Sequence, residues 1–206
     1  FLYGRTLFAM TLSLFTSRII LSALGIQDFG IYNVVGGFVS MCYIFSASIT
    51  VAISRFFAFE LGKNKDADLS EIFSTAFNLQ LVAALFIFVF LEVAGVWFLN
   101  NKMDIPLDRV QAANTMYHFV VASFLVSLIC IPYNALVIAH EKMSFFAYIG
   151  VIDSVLKFAA ALIVSHFGHD KLVFYSVLML VVPCVQLVLY VWYCFAKFDR
   201  CRYRFI

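Results

Sequence analysis

Long apolar runs separated by short polar turns divide the chain, and their lengths predict six membrane-spanning helices. The runs fall at about 7–24, 31–57, 72–99, 117–139, 145–167 and 172–195. The first covers 18 residues, about 27 Å of helix at 1.5 Å per residue, close to the hydrocarbon thickness of a bilayer. Gly25 and the turn at 27–30 end it. The second run carries Gly36, Gly37, Ser40, Ser46, Ala47 and Ser48, small surfaces suited to close helix packing. A polar connection at 60–70 follows, and Ser70, Glu71 and Ser74 read as the capped start of the third helix. Pro106 and mixed charges mark the loop at 101–113, while 140–142 and 168–171 are tight polar turns. Pro132 and Pro183 remove helix donors inside the fourth and sixth runs and predict kinks there.

Composition strengthens this reading. The chain is 64% hydrophobic and 13% charged, against about 25% charged for a soluble domain, and its mean hydropathy is +0.98. Continuous runs rather than alternating positions indicate an all-α polytopic membrane protein instead of a barrel. A net charge of +2 is too small for a nucleic-acid partner; the partner composition requires is the lipid bilayer. Cys42, Cys130, Cys184, Cys194 and Cys201 lie in or just beyond apolar runs without metal-ligand spacing, and read as packing thiols. The chain starts at Phe1 rather than Met, as expected of a fragment. No cleavable signal peptide is visible, and the first run is long enough to remain as a span.

The positive residues orient the spans. Arg5, Arg55, Lys63, Lys65, Lys142, Lys197, Arg200, Arg202 and Arg204 fall on one side; Lys102, Arg109 and Lys171 fall on the other. Nine against three places both ends in the cytoplasm.

Arg18, Asp153 and Lys157 are the candidate site residues, because each is charged and intramembrane. An arginine at mid-span costs about 3 kcal/mol by insertion scales and is expected to face protein or a wet cavity. Asp153 and Lys157 are four apart on one helix face near the bilayer midplane, so they can pair. Two readings stand: a self-neutralising pair that lets the helix cross, or a cavity pair that contacts substrate or a coupling ion. Arg18 likewise reads as a structural partner of Glu92 or Asp153, or as a cavity cation awaiting an anionic ligand. Glu92 sits about two turns from the outer end of its span and reads as interfacial.

Catalysis has little support. His140-Glu141 is not followed by the second histidine of the HExxH zinc pattern, and no GxSxG or phosphate loop occurs. His118, His140, His166 and His169 lie near span ends, and Tyr3, Trp97, Tyr190, Trp192 and Tyr193 form an ordinary aromatic belt. No metal, cofactor or catalytic residue is expected, and the chain reads as a non-enzyme.

Four stretches are distinctive together: SRIIL at 17–21, LGIQDFGIYNVVGG at 24–37, ELGK at 60–63 and IPYNALVIAHEK at 131–142. In their order and spacing they resemble the Wzx-like polysaccharide-biosynthesis flippases of bacteria. These are a branch of the multidrug/oligosaccharidyl-lipid/polysaccharide exporter superfamily. The resemblance implies the first lobe, residues 1–206, of a two-lobed transporter that works by alternating access, with a C-terminal lobe as its partner. It implies a polyprenyl-pyrophosphate-linked oligosaccharide as substrate. That substrate is carried from the cytoplasmic to the periplasmic leaflet of a bacterial inner membrane, for polysaccharide or lipopolysaccharide (O-antigen) synthesis. Arg18 matches the cationic first-helix residue of that family; Asp153 and Lys157 match less closely. Two alternatives remain: a cation-coupled multidrug antiporter of the same superfamily, which needs cavity acids, and a non-transporting membrane scaffold, which needs no midplane charge.

Overall fold

A chain this apolar has no water to serve its amides in a bilayer and satisfies them within helices. The computed structural model is accordingly helical, with no strand among the residues it describes, which are 2–63, 70–103, 105–106, 109–166 and 170–197. The polar connection around Lys65, the turn residues Gly168 and His169, Cys201 and the cations Arg200, Arg202 and Arg204 lie outside the described residues.

Helix α1 (Leu2–Ser40) is bent at Gly25, whose backbone stands at φ 82° and ψ 168°. Only glycine adopts that geometry without strain, so the expected end of the first span is a bend that divides α1 into two arms. The second arm passes through Met41 and Cys42 into α2 (Tyr43–Lys63). The run expected at 31–57 is therefore two helical pieces rather than one regular helix. The reason is local: the amides of Met41 and Cys42 donate to Phe38 and Val39, three residues back instead of four, tightening the backbone after the glycine pair.

Helix α3 (Ser70–Phe90) starts at the expected serine and continues through a wider π turn, Leu91–Gly95, into α4 (Val96–Asn101). The fourth run divides into α5 (Val110–Ile129) and α6 (Ile131–Ala139), with Pro132 in the first turn of α6. Proline cannot donate to the carbonyl four residues back, so the ladder is interrupted there. Helix α7 is Met143–His166 and α8 is Lys171–Lys197; α8 runs through Pro183 as one helix.

Among the described residues five segments are long and apolar enough to cross a membrane: Gly4–Ser40, Ile72–Asn101, Val110–Ala139, Met143–His166 and Lys171–Lys197. Helix α2 is not among them, and the two arms of α1 form one of the five. Large apolar side chains such as Leu14, Phe86 and Trp192 stand exposed on the outside of the bundle, which suits lipid contact and would be a liability in water. The interior is closed by Phe57, Leu91, Tyr117, Phe124, Leu136 and Leu172, each 2% exposed or less.

Contacts at the two ends of the bundle fix the course of the chain. Arg5 meets Phe146, and Ile20 packs with Ala161 and Val164, so the first arm of α1 runs parallel to α7. At the far end Arg109 reaches Asp170 at 2.9 Å and Asp28 at 3.5 Å. Three alternate connections thus meet on one side, as the expected up-and-down order requires.

Candidate functional site: a cavity between α1, α7 and α8

The first arm of α1 presents Arg5, Ala9, Ser13, Thr16 and Ile20 at helical spacing to one side, and these line a cavity of about 570 Å³. Gly150, Asp153, Ser154 and Lys157 of α7 form the facing wall, and Tyr32, Asn33, Tyr175 and Met179 complete it. A second cavity of about 380 Å³ shares Tyr32, Asp153, Lys157 and Met179 and extends to Ser123, Ser127 and Gln186. Asp153 and Lys157 therefore stand on the partition between the two spaces.

The pair is made as the four-residue spacing allows. Lys157 Nζ donates to Asp153 Oδ2 at 2.8 Å, and Gln186 Nε2 of α8 donates to the other carboxylate oxygen at 2.6 Å. Both oxygens of Asp153 are thus engaged. Asp153 is ten residues from Met143, about 15 Å along α7, which puts it well inside the span. It is also the only acidic side chain lining either cavity among the described residues.

Five neutral polar side chains of the larger cavity share a feature. Ser13, Thr16, Ser17 and Ser154 donate their hydroxyls to backbone carbonyls of their own helices, and the Asn33 amide does the same to Phe29. Each spends a donor on the backbone and keeps oxygen lone pairs. The wall is consequently rich in acceptors, with Arg5 and Lys157 as its cations.

Arg18 is placed apart from this group. It is exposed on α1 and lines neither cavity. It is two residues from both Thr16 and Ile20, hence about half a turn around the helix from the cavity face. Neither acidic partner weighed for it is found beside it: Asp153 is held by Lys157 and Gln186, and Glu92 pairs with His118 Nδ1 at 3.2 Å. Cys42, Cys130 and Cys194 are buried, whereas Cys184 is exposed.

Of the cavity residues that escaped the sequence reading, Arg5 and Gln186 bear most on the charged pair and the cavity's cations. Arg5 reads from sequence as a flanking positive charge, yet it turns into the cavity. Gln186 is a polar residue one turn past Pro183 in an apolar run, a visible signal that gains meaning only beside Asp153.

Helices that expose apolar faces and carry a partly polar cavity with charges at mid-span are the general design of a polytopic membrane transporter. The MatE family model matches residues 5–163, and the chain belongs to that family, within the multidrug/oligosaccharidyl-lipid/polysaccharide exporter superfamily. Its members are transporters, not enzymes. No curated protein and no solved structure matches the chain.

Proposed function

We propose that the chain is the N-terminal lobe of a flippase for polyprenyl-pyrophosphate-linked oligosaccharide, moving it from the cytoplasmic to the periplasmic leaflet of a bacterial inner membrane. The acceptor-rich wall with two cations and one neutralised acid carries this reading. Sugar hydroxyls are donors that such oxygens accept, and a pyrophosphate needs cations in a low-dielectric passage. A cation-coupled multidrug antiporter needs an available cavity carboxylate. Asp153 supplies one only if it releases Lys157 and Gln186, and that is the observation on which the second reading stands.

Arg18 faces away from this cavity, and hydrocarbon is a costly environment for it. Its place in the proposal is the surface between this lobe and a second one, where its fork meets the pyrophosphate after the head has left the cavity. The full-length protein in liposomes, given a fluorescent polyprenyl-pyrophosphate oligosaccharide, is expected to carry it across. Arg18→Ala is expected to retain folded protein and lose most of that transport. Efflux of a cationic drug driven by a cation gradient, without glycolipid movement, would replace the flippase by the antiporter.

The orientation is proposed from the nine-to-three distribution of positive residues, with both ends of the chain cytoplasmic. Single cysteines on a cysteine-free background report it. An impermeant reagent applied to intact spheroplasts is expected to label position 102 and to spare position 142. The reverse pattern overturns the orientation.

A further inference from the structure

Resting on the flippase reading, we propose that Arg5 is the docking point for the pyrophosphate head of the lipid carrier, at the cytoplasmic end of the larger cavity. The bare backbone of Gly150 is what lets it lie there. Arg5 stands near the start of α1 and its side chain crosses to α7. Nη1 donates to the Phe146 carbonyl at 3.3 Å, and the guanidinium carbon lies 4.6 Å from the centre of the Phe146 ring. A Cβ built on Gly150 would come 2.9 Å from Nη1 and 3.0 Å from Cδ of Arg5. Any side chain at 150 therefore makes the arginine shift from its present position.

These contacts hold the guanidinium plane without neutralising it. A ring face and a neutral carbonyl orient the group, and a guanidinium has five N–H donors in a planar fork suited to two phosphate oxygens at once. Lys157 differs, because its ammonium is already turned to a carboxylate at 2.8 Å. The uncompensated positive charge of the cavity thus centres on Arg5. An arginine serving only to flank the membrane would extend its head to water; this one points along the wall of the cavity.

The arrangement also separates two chemistries along one passage. Lys157 is seven residues beyond Gly150, about 10 Å further along α7. Ser13, Thr16, Ser17 and Ser154 stand along the same walls. Their acceptor oxygens repel phosphate and attract hydroxyl donors. The anionic head is accordingly held at the Arg5 end, with sugar hydroxyls against the acceptor wall.

Binding of a short-chain polyprenyl diphosphate to the purified full-length protein tests this, with the uncharged polyprenol as a comparison. The wild type is expected to prefer the diphosphate. Arg5→Gln is expected to weaken diphosphate binding at least tenfold and leave polyprenol binding unchanged, with Arg5→Lys between them. Gly150→Ala is expected to weaken diphosphate binding several-fold although no charge is altered, which separates position from net charge. Equal loss for diphosphate and polyprenol would mark Arg5 as merely structural and overturn the proposal. Variants that bind diphosphate as tightly as a diphosphate-selective wild type overturn the Arg5 assignment and leave the flippase reading standing. A wild type without diphosphate preference removes the flippase reading, and the assignment with it.

Discussion

Lys157→Gln is expected to reduce both transport and the yield of folded protein, and the further change Asp153→Asn is expected to restore the yield alone. Removing the ammonium leaves one oxygen of a midspan carboxylate without its partner, at a cost of about 1–3 kcal/mol. The remaining bond from Gln186 at 2.6 Å keeps the carboxylate in place and prevents the loss from being larger. Neutralising the acid as well removes the uncompensated charge, so the double variant should fold better than Lys157→Gln. Transport should stay below a tenth of the wild type in both, because the charged pair on the partition between the two cavities is broken or lost. Quantifying folded protein by fluorescence-detected gel filtration, beside liposome transport, reads the two effects separately. Strictly additive losses of folded protein would show that the pair is not energetically coupled.

The second large effect concerns packing away from the cavity. Gly95→Ala is expected to destabilise the fold by about 3 kcal/mol, the combined scale of overpacking and a lost buried hydrogen bond. A Cβ at position 95 would lie 1.9 Å from the Tyr117 hydroxyl and 2.5 Å from its Cζ. Tyr117 is 1% exposed and donates its hydroxyl to the Leu91 carbonyl at the start of the π turn. Combining Gly95→Ala with Tyr117→Leu vacates the volume and is expected to recover part of the loss. Thermal unfolding in detergent measures both, and an unperturbed Gly95→Ala protein would show that the ring does not occupy this position.

The class of fold was legible because hydrophobic run length is a property of the sequence itself. Among the described residues the expected runs are largely helical, although 31–57 is broken at Met41 and Cys42 and 117–139 at Cys130, and the turn expected at 27–30 is helical within α1. The details that failed to show are backbone events inside apolar runs. The Gly25 bend was visible as a glycine ending a span, but the division at Met41 and Cys42 had no proline to announce it. The π turn at Leu91–Gly95 packs against Tyr117, whose hydroxyl donates to the Leu91 carbonyl, a contact between residues far apart in sequence. In the site, Asp153 and Lys157 were legible because four-residue spacing is local. Their third partner Gln186 was not, since only packing of α8 on α7 brings it near. Arg5 was counted correctly as positive and misjudged in direction, because the sequence could not show that Gly150 leaves it a track into the bundle.

The bridge from Arg109 to Asp28 and Asp170 also sets an order of assembly. A chain made from its N-terminus exposes Asp28 first, Arg109 much later and Asp170 after a further pair of helices. The arginine arrives to meet one acid already made and one still to come. The bridge therefore closes only when the sixth run begins to enter. It acts as a late seal at that end of the bundle, and a ribosome stalled before Asp170 would hold a bundle joined there only through Arg109 and Asp28.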